Sequence, residues 1–365
     1  MTKVALYFVA SPLQYLAARQ IALTHEAGAR QVLVWYKRGL RPVVRSQDWD
    51  ASVYMPWPRW DPLPGPFGRH RRLRENIRLV STLVGECTEL HIHSAVFDTE
   101  AINYFLRALP RASGAATMRA RILPDGLISI RRYPLSWPKR LAQYVRKLRQ
   151  VAAPELDYWC FAGDRIGSDA AFCDRIYVLP GLPHEYPPAK TVTLAPLASA
   201  TLQAEPQPGE AKRALVVGQP LVGVGLISEP SMHEIAARIE ARLKAQGIER
   251  ILYKGHPKDP NRELYRPGYE IVEPDEPLEA WMSHQRFEVV IGVRSSSLLF
   301  AKQLYGPATE VVALGWEHVR FKSERERADM TEVFRTCGVH LGWASLRFAR
   351  GSPASTRGCW PRCSS

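Results

Sequence analysis

Long apolar runs are missing from this sequence of 365 residues. None reaches ~18 uninterrupted apolar residues, so no helical membrane span is expected. Paired cysteine motifs are missing too. Cys87, Cys160, Cys173 and Cys337 lie far apart, only Cys359 and Cys363 are close, and no CxxC occurs. That pattern is neither a zinc framework nor a disulfide scaffold, and it leaves reduced cytoplasmic thiols as the expectation. Phosphate-binding glycine motifs are absent as well. Gly218-Gln-Pro-Leu221 and Gly223-x-Gly225 follow a strand-like run but lack GxGxxG spacing, a helix start and a Walker lysine, which excludes nicotinamide-cofactor and P-loop readings. No DxD element follows a strand, against a metal-bound nucleotide-sugar mechanism. No repeat of 20–50 residues is visible, against a solenoid. Acidic residues are in short supply: 36 Asp and Glu face 49 Lys and Arg, a formal charge of +13. An anionic partner follows, whether nucleic acid, acidic membrane or phosphorylated substrate.

What is present describes an α/β chain. Hydrophobic residues at 46% and charged residues at 23% support a sizeable core, and the length favours two domains. The 29 prolines in 365 residues, about 8% against the usual ~5%, point to many loops. The N-terminal run Val4–Val9 is short and is broken by Ser11-Pro12, so it reads as a buried parallel strand followed by a helix over 12–27 rather than a signal peptide. Strand patterns follow at 31–36, 89–93 and 120–124, and helix patterns at 70–85, 99–109 and 135–150, with a Pro- and Trp-rich loop at 55–67. Residues 178–210 are rich in proline and poor in charge. A second alternating run has strands at 213–218, 250–254, 269–272, 287–291 and 310–314, with helices near 231–246 and from 296. The expected architecture is GT-B-like: two Rossmann-like domains, 1–195 and 211–350, joined by a Pro-rich linker at 196–210, facing each other across a cleft, with a disordered tail at 351–365.

Several polar clusters fall at carboxyl ends of expected strands, where ligands gather in such sheets. His256, in Lys254-Gly-His-Pro257, can give a proton to a phosphate oxygen or neutralise it, or can cap a carbonyl in a turn held by Pro257. Ser295, Ser296 and Ser297 at a helix start form an anion site, with Arg294 adding charge, where an ordinary N-cap needs one serine. Asp125, in Pro124-Asp-Gly126, suits a general base for an acceptor hydroxyl; an isolated Asp-Gly is otherwise a plain turn. Glu279 suits either a ribose diol or a helix first turn. His91-x-His93 places two rings on one strand face with no third metal ligand, a structural arrangement. The basic helix at 135–150 suits an acidic bilayer, an anionic polymer, or a merely solvated face.

Taken in order, Ser11-Pro-Leu-Gln14, Pro124-Asp125-Gly126, His256-Pro257 and Ser295-Ser296-Ser297 resemble the motifs of the bacterial GT-B sialyltransferases, closest to the alpha-2,8-polysialyltransferase and lipooligosaccharide sialyltransferase families. The resemblance spans residues 4–316. It departs at Pro124, where the family has an acidic residue, so Asp125 alone keeps the role of base. The resemblance implies a cytoplasmic enzyme of capsule or lipooligosaccharide synthesis, peripheral at the inner membrane. It would transfer a nonulosonic acid from its CMP donor to a glycan acceptor, with inversion, no metal and no cofactor beyond the substrate. It implies Asp125 and His256 as catalytic residues, and His256, Pro257, Gly218, Glu279, Ser295, Ser296 and Ser297 as donor-binding residues. Other readings are a GT-B transferase using CMP-Kdo or a UDP- or GDP-sugar, and a non-catalytic polyanion binder. No specific nucleic-acid partner is expected, since no helix-turn-helix or basic-aromatic platform stands out.

Overall fold

The computed structural model describes residues 2–125, 132, 134–180, 182, 184–197, 211–256, 258–275 and 278–342. The first sheet holds β1 (Lys3–Val9), β2 (Arg30–Trp35), β3 (Ala51–Tyr54), β4 (Glu89–Ser94), β5 (Thr117–Ile122), β6 (Cys173–Val178) and β7 (Thr191–Thr193). Its order is β3-β2-β1-β4-β5-β6-β7, with every pairing parallel. Around it run α1 (Pro12–Thr24), α2 (Gly68–Val84), α3 (Glu100–Asn103), α4 (Phe105–Ser113) and α5 (Trp137–Lys147). The second sheet holds β8 (Arg213–Val217), β9 (Arg250–Lys254), β10 (Glu270–Ile271), β11 (Val289–Gly292), β12 (Glu310–Ala313) and β13 (His340–Leu341), in the order β10-β9-β8-β11-β12-β13, again all parallel. Its helices are α6 (Glu229–Ala245), α7 (Leu278–Met282), α8 (Ser296–Tyr305) and α9 (Glu324–Thr336). Both sheets share the doubly wound order that reverses direction beside the first strand, which opens a crevice at the carboxyl ends there.

Local chemistry explains the elements that lead to that crevice. β1 is apolar on both faces and buried on both, as a central parallel strand must be. Ser11 then caps α1 by accepting the Gln14 N–H, and Pro12 takes the first helical turn, where its missing N–H costs nothing. Alternate residues of β1 serve different cores. Val4, Leu6 and Phe8 pack under α2 and α4. Ala5, Tyr7 and Val9 join α1, and that core runs without a break through Met282, Leu299 and Phe300 into Leu215 and Val217 of the second sheet. The two domains therefore share one apolar core.

The Pro-rich stretch from 178 begins inside the first sheet. β7 pairs with β6 as the edge of the first sheet, so residues up to 193 belong to that sheet. A three-residue strand amid prolines leaves no periodic signal. Residues 198–210 and the tail at 351–365 lie outside the described residues.

Beneath α1, three strands aim polar side chains at one carboxylate. Glu26, 1% exposed, accepts from His91 Nδ1 at 2.9 Å, from Lys3 Nζ at 2.9 Å and from Arg121 Nη1, and His93 Nε2 stands 3.5 Å away. Arg121 also grips Asp174 through Nε at 3.0 Å and Nη2 at 2.9 Å, and the Tyr7 ring stacks on His93 at 4.4 Å. The two histidines thus serve the fold. Burial pushes the Glu26 carboxyl up, but the hydrogen bonds from His91 and Lys3 and the nearby His93 ring outweigh it and hold it well below the usual carboxylate range. Burial in turn keeps His93 below the ordinary imidazole value.

A carboxyl depressed by folding stabilises the native state above its unfolded pKa, about 4.3, and that contribution fades as pH falls further. Glu26→Gln should therefore lower unfolding stability at pH 7 by about 3 kcal/mol, because Arg121 and Lys3 lose the buried carboxylate and Arg121 keeps only the half-buried Asp174. Urea unfolding followed by far-UV circular dichroism at pH 7 and at pH 4 measures this. Equal wild-type and variant midpoints at pH 7 would remove the network from the fold's stability.

Candidate active site

The carboxyl ends of the two sheets meet over a cleft of about 200 Å³. Ser11 and Leu13 at the start of α1, and Asp125 after β5, line it from the first domain. Glu279 of α7 and Ser296 and Phe300 of α8 line it from the second. Of the residues singled out in the sequence, Asp125, Glu279 and Ser296 are brought together here. Gly126 lies outside the described residues.

Asp125 is half-buried beyond the end of β5. Burial raises its pKa above the usual aspartate value, countered by a hydrogen bond from Gln14 and the charge of Lys37. The Gln14 amide oxygen accepts the Ala10 N–H at 2.7 Å, so the amide nitrogen is the group that faces the carboxylate. One buried side chain thus ties the end of β1 to the candidate base. Tyr36 lies close enough that the same carboxylate, after burial, pushes its phenol up. The sequence reading gave Gln14 and Lys37 no role; the only signal was the Ser11-Pro-Leu-Gln14 opening itself.

In the second domain, the three serines divide their work. Ser295 caps α8, its hydroxyl accepting the Ser297 N–H at 3.3 Å. Ser296 is exposed at the cleft, and Ser297 is half-buried beside it. Arg294 does not add charge to this point, contrary to expectation. Its guanidinium donates to Glu326 at 2.8 Å and lies 4.9 Å over the Phe321 ring. Its backbone is held instead: Gln219 donates to the Arg294 carbonyl at 2.9 Å and accepts the Arg294 N–H at 2.8 Å, which clamps the loop after β8 to the loop after β11.

His256 does not join the cleft lining. It is exposed at the end of β9, and its Nδ1 accepts the Lys258 N–H at 3.0 Å. It lines a separate cavity of about 380 Å³ with Lys254, Asp259, Arg262 and Glu273. Pro257 lies outside the described residues. The donor residues expected from the sequence are therefore distributed over two hollows on either side of β8. Gly218 stands between them for a packing reason: a Cβ there would come within 2.5 Å of the Tyr253 hydroxyl and 3.1 Å of the Lys254 carbonyl. The glycine loop beyond it offers no phosphate cradle. Glu263 already occupies it, its carboxylate accepting the N–H groups of Leu221 at 2.8 Å, Val222 at 2.8 Å and Gly223 at 3.1 Å.

Comparison with known proteins bears on the second domain. Residues 182–313 match the family model described as alpha-2,8-polysialyltransferase, a segment that contains Gly218, His256, Glu279 and the three serines. No curated protein sequence matches significantly. Among solved structures, the chain is similar to Escherichia coli ADP-heptose lipopolysaccharide heptosyltransferase II, at 12% identity over 86% of this chain and 84% of that one, TM-score 0.40. It is also similar to MurG of Acinetobacter baumannii, at 10% identity over 93% and 86%, TM-score 0.41. A third is the glycosyltransferase SnogD of Streptomyces nogalater, at 14% identity over 86% and 82%, TM-score 0.42. Likenesses at these scores carry no further weight; the two doubly wound sheets and the matched segment do. Over residues 182–313, then, the chain is similar to the alpha-2,8-polysialyltransferase family, which supports a glycosyltransferase built on two Rossmann-like sheets.

Proposed function

We propose that the enzyme transfers a nonulosonic acid, sialic acid foremost, from its CMP donor to a glycan acceptor, with inversion and without a metal ion. The observation that carries this reading is the cleft in which Asp125 of one domain meets Glu279 and Ser296 of the other. Asp125 takes the proton from the attacking acceptor hydroxyl. A carboxyl raised by burial is a stronger base than a solvated one, and so better matched to that step near neutral pH. The donor phosphate sits at the start of α8, where backbone N–H groups, the positive helix end and the Ser296 and Ser297 hydroxyls converge.

The cleft volume of about 200 Å³ is smaller than the ~300–1,000 Å³ of a typical ligand pocket, so it takes the sugar and phosphate rather than the whole donor. The order β9-β8-β11 puts the ends of β9 and β11 two strand spacings apart, about 10 Å. A nucleotide lying across the end of β8 at Gly218 spans that distance, from the His256 hollow to Ser296. His256 then neutralises or protonates the phosphate as CMP departs, and Glu279 accepts from the ribose diol. The acceptors that fit this chemistry are the glycans of a capsule or lipooligosaccharide, built at the cytoplasmic side of the inner membrane.

Release of CMP from CMP-sialic acid in the presence of EDTA tests the reading, with UDP- and GDP-sugars and CMP-Kdo as competing donors. Only the CMP-nonulosonate should react. Asp125→Asn should lower transfer by about 10²–10⁴ and His256→Ala by about 10²–10³, both with CMP still raising the melting temperature. Neither CMP release nor a CMP-dependent rise in melting temperature from the wild type would overturn it.

Gln14 supplies a second check. Gln14→Met removes a donor that favours the ionised Asp125, so its pKa rises further and the acidic limb of the pH–rate profile moves to higher pH. An unmoved limb would separate Gln14, or Asp125 itself, from the rate.

A further inference from the structure

The helix α5 is built inside out. Its polar side faces the protein: Gln143, 1% exposed, accepts the Phe161 N–H at 2.6 Å, Arg146 donates to the Tyr158 hydroxyl at 3.1 Å, and just beyond the helix Arg149 donates to the Tyr104 hydroxyl at 3.0 Å. Its apolar side faces solvent, with Trp137 at 75% exposure, Leu141 at 53%, Tyr144 at 61% and Leu148 at 67%. These positions recur every three to four residues and form one stripe along the helix. Of the twelve exposed large hydrophobic residues among those described, six lie between Trp137 and Val151, and two more, Trp60 and Phe67, lie on the Trp- and Pro-rich loop. Apolar side chains clustered in this way mark a covered surface rather than the scattered exposure usual on a monomer.

The charge around the stripe identifies the cover. Residues 136–151 contain Lys139, Arg140, Arg146, Lys147 and Arg149 and no acid. Between α5 and the loop opens a polar hollow of about 300 Å³, lined by Arg59, Arg69, Arg146 and Arg165 against Asp98 and Glu100, four positive groups to two negative. The chain's own residues 343–365, with four arginines and no acid, are electrostatically mismatched to this face. No described helix is long and apolar enough to cross a membrane, so the face lies on its partner rather than through it.

We propose that α5 and the 57–67 loop form a docking face for an anionic lipid bilayer, with the apolar stripe entering the headgroup–acyl boundary and the arginine hollow taking lipid phosphates. A cationic surface helix with aromatic and leucine residues on its free side is the arrangement that such interfaces hold, and lysine or arginine near an acidic leaflet adds to the attraction. The inference rests on the α5 face alone and stands apart from the choice of donor.

Co-sedimentation of the full chain with vesicles of phosphatidylglycerol mixed into phosphatidylcholine, against phosphatidylcholine alone, tests it. The wild type should bind the anionic vesicles and leave the neutral ones. Leu141→Asp with Leu148→Asp, and separately Arg59→Glu with Arg165→Glu, should each lower vesicle affinity tenfold or more. These side chains are exposed, so thermal unfolding and soluble-donor turnover should be unchanged. Two results would overturn the proposal. One is wild-type protein that ignores anionic vesicles, or variants that bind them equally well. The other is a wild-type dimer without vesicle affinity that the leucine pair converts to monomer, since a second copy would then be the cover.

Discussion

The apolar core that runs from β1 through α1 to α7 and α8 fixes how the carboxyl ends of the two sheets oppose each other. A hinge between two separately closed domains would leave Asp125 and Ser296 at no set separation. Here the same cluster that buries Tyr7 and Ile21 also buries Met282, Leu299 and Phe300, so α1, the helix that follows β1, packs on α7, and α7 packs on the helix that follows β11. The cleft lies directly over that seam, with Leu13 and Phe300 shared between core and lining. Arg45 and His284, 3.4 Å apart, add a polar contact between the domains at a separate hollow. Hydrophobic burial, which is non-directional, thus sets the placement of groups whose chemistry is directional.

Around this seam the charged groups sort by depth. The fully buried carboxylate, Glu26, is surrounded by donors and kept ionised; at the half-buried one, Asp125, burial outweighs the Gln14 amide and the Lys37 charge and leaves it nearer to its proton. That contrast, together with its place in the cleft, is the physical ground on which Asp125 rather than Glu26 is proposed as the base. Position repeats the division among the serines: Ser295 spends its hydroxyl on its own helix, and Ser296, one residue later, is exposed to the cleft.

The elements legible in the sequence were those whose signal is local. Continuous apolar runs gave β1 and β8, the Ser11-Pro12 cap gave the start of α1, and the serine cap gave the start of α8. β6 was missed because Asp174 and Arg175 interrupt its pattern, and Asp174 is charged because Arg121, far away in sequence, needs it. α9 was missed because its ERERADMTEVFRT sequence buries little besides Phe334. The site was legible as residue types at strand ends, but Arg294 and His256 were not legible as to direction. Glu326 turns the first away, and the strand order sets the second across β8 from the serines. For α5, the sequence shows a stripe and a basic face. It cannot show which side meets the protein, and the structure turns Gln143 and Arg146 inward and leaves Trp137, Leu141 and Tyr144 exposed.

Glu263 has a consequence for what the enzyme ignores. Three consecutive backbone N–H groups after β8 form the sort of concavity that elsewhere receives a phosphate, and here the chain supplies the anion itself from the loop between β9 and β10. The protein carries a resident counter-ion where other nucleotide folds keep a vacancy. Free phosphate and unrelated nucleotides, abundant in any cell, therefore meet a tenanted loop at that spot. At the start of α8, one strand away, the fold instead leaves Ser296 exposed to the cleft.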